Sequence, residues 1–205
     1  MIGPITFITI GETPRDDVIP ELLNIVGNTN LAYNEIGLIE NVEEEIYKPR
    51  DENDVLVSRK RDGSIVRISH RWIVQKLSQL ECEGLCVFLC TGEFDSDRFI
   101  LPYKVVDSFF SAMPKLNRAT VIVPEKEQCS NALKRWAKIA KRVNCTSFSP
   151  YRESTLSVDL SQEQLVYLDC IGFALKHEEF FKRKTNGFVV SARRILANYL
   201  RNLLT

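Results

Sequence analysis

Leu85-Cys86-Val87-Phe88-Leu89-Cys90-Thr91-Gly92-Glu93-Phe94 is the stretch on which the fold class turns. It is an apolar run that breaks at a cysteine, a hydroxyl residue and a glycine. A short run of Val, Phe and Leu, bounded by Gly and then polar residues, reads as a buried strand of a parallel sheet. Open α/β sheets bind ligands just beyond the carboxyl ends of their strands, which puts Cys90 where chemistry usually happens. The pattern returns in Leu165-Val166-Tyr167-Leu168-Asp169-Cys170-Ile171-Gly172-Phe173. Two such ends predict two α/β lobes, each presenting a thiol.

Working outward, Pro4 to Ile10 reads as a first strand and Gly11-Glu12-Thr13-Pro14-Arg15 as the loop after it. Val18, Ile19, Leu22, Leu23 and Val26 recur at helical spacing, and Gly27-Asn28 stops that helix. Leu31 to Leu38 is a second strand, followed by a short acidic helix at Glu43 to Ile46. Val55 to Val57 and Ile65 to Ile68 flank Arg61-Asp62-Gly63, a hairpin signal that carries Arg59, Lys60 and Arg61. Ser69 caps a helix expected to run to about residue 83. A helix is predicted over 99–112 and a strand over 119–123. Pro124 opens a helix reaching about residue 142, and 145–148 is a strand. Residues 152–164 are polar, with at most a short helical turn. A helix over 174–184, a strand over 187–190 and a final amphipathic helix from Ser191 to Leu204 complete the chain. Alternation of strand and helix throughout means α/β with mainly parallel sheets. No long linker appears, so the lobe boundary is expected at a short crossing near residues 113–118.

The chain has 205 residues, 44% of them hydrophobic, with 27 Lys+Arg balanced by 27 Asp+Glu. Zero formal charge and no basic run with interleaved aromatics argue against nucleic acid as a partner. No apolar run is long enough to span a membrane, and Met1 to Ile5 lacks the features of a signal peptide. The expectation is a cytoplasmic protein whose six cysteines are reduced thiols. Cys82, Cys86 and Cys90 do not make a metal site in this reading. On one strand, residues 86 and 90 are about 13 Å apart at a rise of about 3.3 Å per residue. With only His70 and His177 elsewhere, no metal spacing stands out, and no cofactor is expected.

Several stretches together resemble the AroM family. These are Thr9-Ile10-Gly11-Glu12-Thr13-Pro14-Arg15, Ser58-Arg59-Lys60-Arg61-Asp62-Gly63, Leu89 to Phe94, Ile122-Val123-Pro124, Ser149-Pro150-Tyr151, Asp169 to Phe173 and Ser191-Ala192-Arg193. That family in turn is similar to the aspartate/glutamate racemase superfamily. The resemblance implies two pseudo-symmetric lobes with a cleft between them, one catalytic cysteine from each, and neither metal nor pyridoxal phosphate. It also implies that the last segment returns to the first lobe, giving 1–113 plus 189–205 as lobe 1 and 114–188 as lobe 2. Cys90 and Cys170 then fall on the two catalytic positions, and Thr91 on the hydroxyl residue after the first. The sequence departs from that pattern at Ile171, where a polar residue usually follows the second cysteine. By the same resemblance two copies could pair as a homodimer.

The chemistry asks for such a pair. Racemisation without a cofactor needs a base on one face of a carbon acid and an acid on the other. Backbone N–H groups of the turns at Thr91-Gly92 and Ile171-Gly172 can cradle a carboxylate and favour a thiolate. Gly11 and Thr13 lie in the loop after the first strand. Arg15 and either Arg59 or Arg61 are candidates for holding a small carboxylate through a two-pronged fork. Glu93 could position a substrate amine or take part in proton transfer. Each candidate also has a plainer reading. Buried cysteine is a common small hydrophobe, Arg15 could pair with Asp16 or Asp17, and the hairpin arginines could be a solvated edge. The functional expectation is a cofactor-independent, racemase- or isomerase-like enzyme on a small carboxylate. The rival readings are an anion-binding protein that kept the cleft without the chemistry, and a redox-responsive thiol protein.

Overall fold

A computed structural model describes residues 4–204. The chain divides into two compact units, the first ending at Lys104 and the second beginning at Val105. The architecture is α/β with mainly parallel sheets, as the alternation of elements predicts.

In the first unit β1 (Ile5–Thr9) is buried at every position and is the middle strand of a three-stranded parallel sheet. It pairs with β2 (Tyr33–Gly37) on one side and β5 (Leu85–Phe88) on the other. Helix α1 (Ile19–Val26) joins β1 to β2 and buries Ile19, Leu22, Leu23, Ile25 and Val26. It stops where Gly27, at φ 87°, takes up the left-handed conformation that lacks a penalty only for glycine. Between β2 and β5 the chain makes the short helix α2 (Glu44–Tyr47) and the antiparallel hairpin β3 (Val55–Arg59) and β4 (Ile65–Ser69). Gly63 turns the hairpin at φ 89°. The Ser69 hydroxyl accepts the Trp72 N–H and starts α3 (His70–Gln79), as its position predicts.

Asp54 is the buried anchor of this segment. Its carboxylate accepts the Ser69 hydroxyl at 2.7 Å and the backbone N–H groups of Arg71 and Arg50 at 3.0 and 3.2 Å. Burial opposes the charge, but these donors and the Arg71 guanidinium outweigh it and hold the carboxyl below its ordinary value. A depressed carboxyl contributes stability that is present above the unfolded pKa and lost as pH falls through the folded one. Urea unfolding of the native protein should therefore weaken below about pH 4, and less steeply in Asp54→Asn. Equal acid slopes for the two proteins would show that Asp54 is not the group involved.

In the second unit four parallel strands lie in the order β7-β6-β8-β9. They are β6 (Leu116–Val123), β7 (Ala140–Ser147), β8 (Leu165–Leu168) and β9 (Phe188–Ser191). Helix α4 (Pro102–Ser111) crosses the division between the units. Its Phe110 meets Trp136 of α5 (Cys129–Trp136) and Tyr167 of β8 edge to face, with centroids 5.5 and 5.0 Å apart. Helix α6 (Leu175–Lys182) joins β8 to β9, and α7 (Ala192–Leu204) ends the described chain.

Each unit thus contains the same arrangement. Its first strand lies between its second and its third, so successive crossovers run in opposite directions from it. The carboxyl ends of the first and third strands flank the point where strand order reverses, which is where open α/β sheets bind ligands. Cys90 follows β5 and Cys170 follows β8, the third strand in both cases.

Several expectations differ from what is found. The four cysteines outside the strand-end motifs are not reduced thiols. Cys82 pairs with Cys86 and Cys129 with Cys145, their Cα atoms 6.3 and 5.5 Å apart. Helix α3 ends at Gln79, so Cys82 lies in the following turn, where Gly84 at φ 75° brings it back to β5. Cys129 starts α5 beside Cys145 of β7. The expected long helix after Pro124 is a short 3-10 turn and then α5, and β7 begins at Ala140. The helical turn over 152–164 is absent, since those residues carry no helix. The expected division at residue 113, with 189–205 in the first lobe, also differs. Strand β9 pairs with β8 in the second sheet, and the second unit runs from Val105 to the end.

Candidate functional site

In the first unit the loop after β1 is built against the hairpin. Gly11 donates its N–H to Thr9 Oγ1 at 3.2 Å. A Cβ there would lie 2.5 Å from Ser58 Oγ and 2.6 Å from the Arg59 carbonyl, so only glycine lets the two segments approach. Arg15 is 3% exposed. Its guanidinium forks onto Asp17 at 2.8 and 2.9 Å and donates to Thr9 Oγ1 at 2.7 Å. Thr13 gives both its N–H and its hydroxyl to one Glu40 oxygen, each at 2.7 Å. Arg61 joins the same carboxylate at 3.0 Å and also donates to the Thr13 carbonyl. Partial burial opposes the Glu40 charge, but Thr13 and Arg61 prevail and hold its carboxyl below the usual value.

Arg59 is different. Among the described residues no carboxylate lies within ion-pair distance of it. Its guanidinium passes over Gly63, where a Cβ would come within 2.8 Å of a terminal nitrogen. Lys60 beside it is tied to Glu44 at 3.1 Å, which raises its pKa. Arg15, Arg59, Lys60 and Arg61 line one pocket of about 170 Å3 with Pro14, Asp16 and Asp17.

The Cys90 loop follows β5, the neighbour of β1 in the same sheet. Leu89 donates to the Ile8 carbonyl at 2.7 Å and keeps the two strand ends together. Cys90 is 9% exposed and belongs to the apolar cluster that includes Ile10, Leu56 and Phe94. Gly92 donates its N–H to Cys90 Sγ at 3.4 Å. Thr91 is buried, whereas Glu93 is exposed and meets His70 through its carbonyl rather than its carboxylate. Gly11, Thr13, Arg15, Arg59 and Arg61 therefore gather at the β1 end, and Cys90, Thr91 and Gly92 at the β5 end beside it. Among the described residues the Glu93 carboxylate has no hydrogen-bond or ion-pair partner.

In the second unit Cys170 is half-buried, and Gly172 donates its N–H to Cys170 Sγ at 3.3 Å. The same contact thus forms at both Cys-x-Gly turns. An N–H aimed at sulfur is a contact that negative charge on sulfur strengthens. Tyr151 lies against this turn with its hydroxyl 3.8 Å from Cys170 Sγ. A side chain at Gly172 would overlap that hydroxyl. Ile171, between the cysteine and the glycine, is buried.

Two buried charged residues lie beside the turn, and Arg193 bonds it directly. Arg193, 1% exposed in the first turn of α7, donates from Nε to the Ile171 carbonyl at 2.9 Å and from Nη2 to the Gly172 carbonyl at 3.2 Å. With both carbonyls turned toward Arg193, the Gly172 N–H is left to the sulfur. Asp169 accepts from Arg135, from Trp136 Nε1 at 2.7 Å and from the Tyr167 hydroxyl at 3.1 Å. Burial and the Asp169 charge push the Tyr167 pKa well up, so its hydroxyl stays a donor. Tyr151, Asp169 and Arg193 were not among the site candidates. The signal for each was present, because all three stand in the stretches that carry the family resemblance.

No group of three or more His, Cys, Asp or Glu side chains among the described residues is placed to hold a metal ion. No helix among them is long and apolar enough to cross a membrane. Fold and turns together define an α/β protein with a thiol beyond the third strand of each unit, each with a glycine N–H on its sulfur. The chain belongs to the AroM family, whose model, described as AroM protein, matches residues 5–204. No curated protein and no solved structure matches it.

Proposed function

We propose that this protein is a cofactor-independent enzyme that moves a proton at the carbon next to a carboxylate, with Cys90 and Cys170 as the proton-carrying groups. The observation that carries the reading is the repeated turn: Gly92 N–H on Cys90 Sγ at 3.4 Å and Gly172 N–H on Cys170 Sγ at 3.3 Å. A thiol that cycles between neutral and charged forms gains from such a donor, which a sulfur serving only as packing does not need. Racemisation or epimerisation would use both thiols, in keeping with the likeness to aspartate/glutamate racemases. A one-thiol isomerisation would use either. In this reading Arg59 holds the small carboxylate, because Arg15 is committed to Asp17 and Arg61 to Glu40. A homodimer is its proposed assembly.

The test is loss of the α-proton signal from small 2-substituted carboxylic acids incubated with the protein in heavy water. Cys90→Ser and Cys170→Ser are each expected to slow exchange by about 100-fold or more if both thiols act. Loss in one variant alone assigns a one-thiol reaction. Exchange that persists in both variants overturns the assignment.

A second reading has its own support. Cys90 sits in an apolar cluster and is 9% exposed, which suits packing as well as chemistry. A binding protein without proton transfer predicts that the acids bind equally well to both Cys→Ser variants and that the native protein exchanges no α-proton.

A further inference from the structure

The second unit holds a cavity of about 670 Å3 that neither thiol lines. Its volume is within the range of small-molecule sites, about 300–1,000 Å3. One wall is aromatic. Phe148 and Phe180 lie 5.4 Å apart between centroids at 33°, and Phe148 meets His177 edge to face at 6.5 Å. The His177 ring is fixed because its Nδ1 accepts the Ala174 N–H at 2.8 Å. Phe180 is 37% exposed, with Lys184 Nζ over its ring 5.6 Å from the centroid.

The remaining wall is polar, and its cation without a carboxylate in ion-pair reach among the described residues is Lys176, which precedes His177 on α6. Arg152 is held in place by Glu125, which it contacts at 3.0 and 3.1 Å. Its charge is offset there. Ser154 and Thr155 add hydroxyls, and Glu153 is the one opposing charge on the lining.

We propose that this cavity is a second binding site, for an organic anion that carries a flat ring. The ring lies against Phe180, the exposed member of the aromatic wall, where aromatic contact and burial of apolar surface favour it. The anionic group meets Lys176 and the hydroxyls. The site is independent of the proton-transfer reading, since it involves neither Cys90 nor Cys170 nor the hairpin arginines.

The experiment is an NMR titration of the full chain with benzoate and, separately, with adenosine monophosphate, to tell a carboxylate from a phosphate. Acetate and benzamide test the ring and the charge in turn. Saturable binding of benzoate or of the nucleotide is expected, with acetate and benzamide weaker. Lys176→Ala should weaken it about fivefold, and Phe180→Ala about tenfold. Glu153→Gln should tighten it. All three positions are solvent-accessible, and an unchanged amide spectrum away from the cavity verifies that each variant is folded. The proposal is overturned if neither ringed anion binds saturably, if acetate binds as well as benzoate, or if Lys176→Ala and Phe180→Ala both bind like the native protein.

Discussion

Replacing Asp169 by alanine is expected to lower the unfolding free energy by about 3–5 kcal/mol, the usual cost of removing one partner of a buried charge network. The Asp169 side chain is 1% exposed and that of Arg135 16%. Without the carboxylate, the guanidinium, the Trp136 N–H and the Tyr167 hydroxyl all lose their acceptor. Trp136 and Tyr167 also belong to the aromatic centre of the second unit, so the damage reaches the packing of α5 on β8. Asp169→Asn keeps an acceptor oxygen but loses the charge, and should be less severe. Urea unfolding measures both. A loss below about 1 kcal/mol in Asp169→Ala would mean that the donors regain water, and that Asp169 does not anchor the turn.

The second large effect is expected at Arg193. Arg193→Met fills much of the same volume but leaves the Ile171 and Gly172 carbonyls without their donors. About 2–4 kcal/mol of stability should be lost, each buried acceptor costing about 1–3 kcal/mol when unpaired. Arg193 is a positioning residue in this account, so stability alone does not test it. Its specific readout is the reaction of Cys170 with iodoacetamide at a pH where the native protein is fully folded. Released carbonyls let the Gly172 N–H turn away from sulfur, and the pH profile of alkylation should shift relative to the native one. Arg193→Lys retains the charge with a single donor centre and should lie between the two. An unchanged alkylation profile in Arg193→Met would confine the residue to a structural role.

Much of this was legible in the sequence, and the parts that were not have identifiable reasons. The apolar runs before Cys90 and Cys170 are buried on both faces, so composition alone marks them as parallel strands. Asp62-Gly63 and Ser69 act through local backbone chemistry, and local chemistry can be read locally. Strand β7 was read too short because it lies at the edge of its sheet, where exposed Lys141 and Arg142 hide the pattern. The disulfides were missed for another reason. Cys129 meets Cys145 only because α5 packs beside β7, and spacing does not reveal such neighbours. Arg15 carries both of the readings that the sequence offers. Its place beyond β1 points to a ligand, and Asp17, the plainer partner, occupies its fork. Arg193 shows the converse: it stands in a stretch that carries the family likeness, but helical patterning gives it no role, and the fold sets it against the Cys170 turn.

The two disulfides have a practical consequence for studying the molecule in solution. With Cys82, Cys86, Cys129 and Cys145 joined in pairs, the cysteine thiols outside a disulfide are Cys90 and Cys170. One belongs to each compact unit. The native sequence thus carries one thiol per unit, with half-buried Cys170 open to a thiol reagent in the folded protein and Cys90, 9% exposed, reached when the first unit opens. The rate at which a second label enters in rising urea would follow the opening of the first unit, with no change of sequence.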